Sequence, residues 1–120
     1  MRAKDRTGLI GEQVAAQWLT TRGHQVLATR WRSRTGELDL VTEHRGDLVA
    51  VEVKTRRGIG YGHPFEAVTA EKLYRLHRLL SEYASTHQCQ RRRRRVDVVS
   101  VLLDRDDATQ DIEHLEDVRP

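Results

Sequence analysis

The sequence predicts an α/β fold with its elements in the order α-β-β-β-α-β. Three observations carry that reading. Two segments repeat apolar residues at a period near 3.6, three shorter ones alternate along a strand, and a nearly continuous β-branched run follows the second helical segment. At 120 residues the chain is read as a single domain over 1–120, with a core over about 5–103 and a polar tail over 104–120.

Residues 5–22 form the first predicted helix. Ile10, Val14, Trp18 and Leu19 make its stripe, Asp5 or Thr7 is placed to cap it, and Gly23 ends it. Glu12 falls at the edge of the buried face, beside Gly8, Ala15 and Leu19 on the wheel. His24–Trp31 alternates as a first strand, and residues 37–43 and 48–55 form a hairpin. Arg57 to Pro64, with glycines at alternate positions, is a loop that lacks the strand-and-helix setting of a nucleotide fingerprint. The second helix runs from Thr69 or Ala70 to His87, with Leu73, Leu76, Leu80, Tyr83 and Ala84 inward and Lys72, Arg75 and Arg78 on another side. Val96–Leu103 suits a buried strand. Beyond Asp104, Ile112–Leu115 suits a short edge strand, and the last few residues are expected to be loose.

The hairpin carries the chemistry. Gly36-Glu37-Leu38-Asp39-Leu40-Val41 and Val51-Glu52-Val53-Lys54-Thr55-Arg56 are apolar runs with charges on alternate residues. Alternation puts Glu37 and Asp39 on one face of the first strand and Glu52 and Lys54 on one face of the second, leaving Leu38, Leu40, Val49, Val51 and Val53 as a core surface. Closure about Arg45-Gly46 makes residue numbers across the ladder sum to 91, setting Asp39 opposite Glu52 and Glu37 opposite Lys54. Arg-Gly is not a favoured two-residue turn, because type I′ needs positive φ at both positions, so a bulge would shift this register by one. Directly opposed residues have Cβ atoms ~4.5–5.5 Å apart, and two carboxylates so placed repel. A divalent cation reverses the sign of that effect, and an oxygen-only donor set suits Mg²⁺ or Mn²⁺. The plainer alternative, a solvent-facing strand with a Glu37–Lys54 salt bridge, leaves Asp39 opposite Glu52 unexplained.

The net charge of +3 matters less than its distribution. Arg91–Arg95 form an unbroken run, and Arg30, Arg32, Arg34, Arg56 and Arg57 surround the acidic strands. Basic surroundings with an acidic centre fit a polyanionic substrate processed through a metal, although an arginine run is as readily a solvated loop. A general preference for arginine, with 18 Arg against three Lys, explains the total but not the choice of Lys at 54. No apolar stretch approaches the ~20 residues of a membrane span, and no apolar signal core follows Met1. The lone Cys89 cannot form an internal disulfide, so a cytoplasmic protein with no membrane partner is expected. Trp18 and Trp31 are read as core, Asp97 as a buried partner for an arginine or a backbone group, and Tyr61, His63 and Phe65 as loop residues.

This order of elements, with Glu37-x-Asp39 and Glu52-x-Lys54 on adjacent strands, resembles the PD-(D/E)xK nuclease superfamily, the restriction-endonuclease-like fold. Within it the chain resembles the bacterial YraN-type family of small endonuclease-like proteins. The resemblance spans roughly residues 8–103. It rests on Gly11-Glu12, Arg30-Trp31-Arg32, Gly36 to Asp39, Val51 to Arg56, Glu66-Ala67-Val68-Thr69 with Lys72, and Val96-Asp97-Val98-Val99. A bare E-x-K occurs by chance everywhere; the ordered set does not. Leu38 stands where the superfamily name has Pro, and the tail Ile112 to Asp117 departs from the ending of relatives. Archaeal Holliday-junction resolvases are similar in plan.

The resemblance implies a mixed central sheet flanked by helices and a catalytic set of Glu12, Asp39, Glu52 and Lys54. Asp39, Glu52 and the backbone carbonyl of Val53 would hold Mg²⁺ or Mn²⁺, with Glu12 joining directly or through water. Lys54 would orient the attacking water or stabilise charge on the phosphate, and Glu37 would support it by pairing with Lys54 or by reaching the metal indirectly. Arg56, Lys72, Arg75, Arg91, Arg92 and Arg93 are the candidates for gripping nucleic acid. The expected activity is metal-dependent phosphodiester hydrolysis on DNA, with branched or flapped structures and a homodimer suggested by relatives of this plan. The alternative is a non-catalytic nucleic-acid-binding scaffold in DNA repair or uptake. RNA stays open, because phosphate contacts carry no base identity.

Overall fold

In the computed structural model, residues 3–58, 64–89 and 92–120 are described. The glycine loop with Tyr61 and His63, and Arg91, lie outside the described residues. The elements are α1 (Ala3–Thr21), β1 (Gln25–Ser33), β2 (Gly36–His44), β3 (Asp47–Arg57), a 3₁₀ turn at Pro64–Ala67, α2 (Ala70–Thr86), β4 (Arg94–Leu103) and β5 (Thr109–Leu115). The strands form one mixed sheet in the order β1-β2-β3-β4-β5. Only β3 and β4 run parallel, and α2 lies in the crossover such a pair requires. This is the expected α/β architecture with a seventh element, β5, and it is compatible with a restriction-endonuclease-like core.

Each face of the sheet is covered by one helix. On one, Ala15 and Leu19 of α1 bury against Leu40, Val49, Val51, Val99, Val101 and Leu103. On the other, Leu73, Leu76, Leu79, Leu80, Tyr83 and Ala84 of α2 bury against Leu38, Val41, Leu48, Ala50 and Val96. The central strand β3 is therefore buried on both sides, which is why residues 48–52 are apolar almost without interruption. Thr69 caps α2, its hydroxyl accepting the N–H of Lys72 at 3.2 Å.

Helix α1 begins at Ala3, so neither Asp5 nor Thr7 caps it as expected. Its buried centre is Gly11, Ala15 and Leu19, while Ile10, Val14 and Trp18 flank it half-buried. A Cβ at Gly11 would sit 1.7 Å from Thr55 Oγ1, so α1 lies on β3 at a distance only glycine permits.

The hairpin register is the expected one: Leu40 faces Val51, Val41 faces Ala50 and Thr42 faces Val49. No bulge intervenes. Arg45 and Gly46 adopt φ of +52° and +82°, a turn with positive φ at both positions, so the arginine tolerates the left-handed region to keep the register.

The tail is tied down rather than loose. Asp117 N–H donates to Asp97 Oδ1 at 3.0 Å, and Val118 N–H donates to the Val96 carbonyl at 2.7 Å. The buried Asp97 carboxylate needs such donors, and Arg95 supplies others at 3.0 and 3.3 Å. Asp97 is thus the partner of an arginine and of backbone, as read from its place in an apolar strand. Among the described residues no helix is long and apolar enough to cross a membrane.

Candidate metal-binding site

The ladder between β2 and β3 stops at Leu40 and Val51. One residue further, the Asp39 carboxylate replaces it, Oδ2 accepting the Val53 N–H at 2.9 Å. Leu38 and Leu40 should share a face, yet Leu38 lies in the α2-side cluster and Leu40 in the α1-side cluster. Strand β2 therefore rotates at Asp39, which aims the carboxylate between the separating strands. The expected core surface is corrected accordingly: Leu38 leaves the set formed by Leu40, Val49, Val51 and Val53.

Asp39 and Glu52 face each other as the register requires. Burial and the adjacent Glu52 push Asp39 up to about 8, against the Val53 N–H that favours its ionised form. For Glu52, burial alone would raise the pKa. Asp39, Lys72 and Lys54 outweigh it and hold Glu52 below the ordinary carboxylate value. At neutral pH the pair accordingly shares one proton. Lys72 Nζ of α2 lies 2.5 Å from Glu52 Oε2, and Lys54 Nζ lies 3.6 Å from the same oxygen. Burial and the neighbouring Lys72 lower the Lys54 pKa, whereas Lys72, despite burial, is raised by Glu52 and Lys54.

A cleft of about 460 Å³ opens onto Asp39, lined by Glu12, Asp39, Val53, Lys54 and Arg56 among others. Glu12 enters from α1 because Gly11 brings that helix onto Thr55. Its buried Oε2 is ion-paired with Arg30 Nε at 3.1 Å. Burial raises the Glu12 pKa; Glu37 and Glu52 raise it further, and Arg30 opposes them. Glu12 of α1 and Asp39 of β2 thus line one cleft, and Glu52 of β3 meets Asp39 from the adjoining pocket that also holds Lys72. An oxygen-rich donor set of this kind fits a hard divalent cation.

Several expected residues lie elsewhere. Glu37 pairs with Arg32 on β1 at 2.7 Å and not with Lys54, because β1 offers it a guanidinium on the adjacent strand. Lys72 is engaged by Glu52 and is not a free phosphate grip. Arg75 borders the pocket of Glu52 and Lys72 from α2. Arg92 pairs with Glu43 at 2.7 Å, and Arg93 with Asp47 and Asp117 at 3.2 and 3.0 Å. Glu43 and Asp47 lie four to five residues along the hairpin from Asp39 and Glu52, roughly 15 Å at strand rise, so Arg92 and Arg93 brace the opposite end of the hairpin. Arg30 is the neighbour of Glu12 that pattern reading missed. Its φ of +52° within a strand leaves no mark in a sequence.

A second donor group, His24, Asp97 and His114, has ligand atoms within 4.8 Å of one another and could hold a metal ion on that count. However, Asp97 already accepts from Arg95 and Asp117 and lies 2.8 Å from His114 Nε2, and His24 Nδ1 lies 2.7 Å from Thr42 Oγ1. The Arg95 guanidinium supplies the positive charge there, which makes this network a structural brace.

Comparison with known proteins places the chain. Residues 11–101 match the profile of Uncharacterised protein family UPF0102. A UPF0102 protein of Paenarthrobacter aurescens (strain TC1) is 48% identical over 118 residues, covering 98% of this chain and 97% of that protein. One from Beutenbergia cavernae is also 48% identical over 118 residues, covering 98% and 99%. One from Clavibacter michiganensis subsp. michiganensis is 50% identical over 98 residues, covering 82% and 83%. The matched span includes Glu12, Asp39, Glu52, Lys54 and Lys72, so the residues that meet in the cleft fall within the family's own region. The chain is a member of family UPF0102.

Proposed function

We propose that this protein is a divalent-metal-dependent phosphodiesterase of the PD-(D/E)xK type, acting on nucleic acid and on DNA in the first instance. The observation that carries the proposal is the buried, facing Asp39–Glu52 carboxylate pair, with the Glu12 carboxylate lining the same cleft as Asp39. Asp39 and Glu52 would hold Mg²⁺ or Mn²⁺, with Glu12 completing the shell directly or through water. A bound ion there would supply Lewis acidity to the phosphate and lower the pKa of a bound water. Lys54, its pKa depressed by burial and by Lys72, is placed to orient that water or to take up charge on the phosphate oxygens. Lys72, now paired with Glu52, would have to yield that carboxylate to a bound cation. Arg56, on the cleft wall, faces the substrate backbone.

One observation favours a non-cutting scaffold. The Lys72 ammonium on Glu52 already supplies a positive charge where the cation would bind. Cleavage separates the two readings. A labelled panel of single-stranded, duplex, flap and four-way-junction DNA, with matched RNA, is incubated in Mg²⁺ and in Mn²⁺ with wild type and with Asp39→Asn, Glu52→Gln. Metal-dependent cutting that the double variant loses is the expected result, and the preferred lane names the substrate. Binding without cutting, equal in both proteins, would favour the scaffold.

A further inference from the structure

The outer face of α2 carries a feature that the carboxylate cleft does not use. Tyr74 is 67% exposed, an unusual setting for an aromatic ring. Arg75 and Arg78 border the same groove, and among the described residues neither is bonded to a carboxylate. Glu71 borders it too, but the two guanidiniums outnumber that one acid. Arg75 also borders the pocket formed around Glu52 and Lys72, so it stands between the groove beside Tyr74 and the proposed reaction site. Lys72, Arg75 and Arg78 follow one another at three-residue spacing, a row of cations climbing ~4.5 Å per step along the helix. The Lys72–Glu52 contact anchors the lower end of that row at the cleft.

An exposed ring that shares a groove with two guanidiniums suits neither a protein core nor a cationic partner. It suits a polyanion that also presents a π-face. In continuous duplex each base face is covered by its stacked neighbours, and only an unpaired base offers one to a side chain. We propose that Tyr74, with Arg75 and Arg78, is a platform that receives an unpaired base of the substrate strand while the guanidiniums hold its phosphates. This rests on the nucleic-acid reading above and narrows it: the substrate contains an unpaired nucleotide beside the phosphate that is cut.

The test is fluorescence anisotropy without divalent metal, using a flap DNA, a single strand and a continuous duplex, with 2-aminopurine at the unpaired position of the flap. The Tyr74 side chain supports no core, so Tyr74→Ala and Tyr74→Trp keep the fold. Tyr74→Ala should weaken flap and single-strand binding about tenfold, the scale of one lost base–aromatic stack, and leave duplex binding within about twofold. Tyr74→Trp should retain the preference, and the 2-aminopurine emission should be quenched by wild type and not by Tyr74→Ala. Arg75→Ala with Arg78→Ala should lower affinity for all three DNAs and flatten the salt dependence by about two counterions. An unchanged flap-to-duplex ratio in Tyr74→Ala, in a wild type that binds and cuts, overturns the platform alone. A wild type that binds none of the DNAs overturns the platform together with the nuclease reading.

Discussion

Asp39 shows how one residue sets the character of a site. Its carboxylate occupies the place of a ladder hydrogen bond, faces Glu52 and keeps a proton up to about pH 8. In the metal-free protein that raised pKa contributes stability that is present below the ordinary aspartate value of 3.8 and is lost as pH rises through about 8. A cation competes with the same proton. The melting-temperature gain on adding Mn²⁺ should therefore be small near pH 6, grow as pH rises to about 8 and level off beyond it. In Asp39→Asn the gain should be absent at every pH. A thermal-shift series across pH reads this directly, and a gain independent of pH would detach the ion from this pair. Glu37 makes the converse point. Two strands considered alone paired it with Lys54, whereas the third strand gave it Arg32. A strand flanked on both sides offers each charge two possible partners, and the β2–β3 pattern alone considers only one of them.

At the scale of elements, the approach of α1 to β3 decides whether Glu12 reaches the cleft. Gly11 allows it by leaving Thr55 room. Gly11→Ala should cost about 1–3 kcal/mol in chemical denaturation, the usual range for overpacking, and should weaken Mn²⁺ binding by tilting Glu12 away. Adding Thr55→Ala should recover only part of both losses, since it removes the hydroxyl and the methyl but leaves the Thr55 Cβ 2.6 Å from the new methyl group. Failure of the second substitution to rescue would show that Gly11 serves the helix and not its docking. The hairpin's register from Leu40 to Val51 was legible in the alternation of its residues, whereas the turn of β2 at Asp39 that moves Leu38 to the other face was not. The closeness of α1 was not, since a small residue in a helix announces no partner. The same holds for the first half of β5, where Thr109, Gln110 and Asp111 are too polar to betray an edge strand.

At the scale of the molecule, one sheet separates two apolar layers and opens where β2 and β3 diverge. The acidic residues converge at that opening, while Arg92 and Arg93 brace the other end of the hairpin. The order of elements and the Asp39–Glu52 pairing could be read from the chain because both follow from local periodicity. The Lys72–Glu52 and His114–Asp97 contacts could not, because each joins side chains across elements whose packing no single segment specifies. What this architecture exists to hold is the central question. Electron paramagnetic resonance of free Mn²⁺ during titration answers it, with wild type compared against Asp39→Asn, Glu52→Gln at pH 8. The account predicts that wild type removes Mn²⁺ from the free pool to saturation at one site, and that the folded double variant leaves it free. Equal uptake by both proteins, or none by wild type, would contradict it.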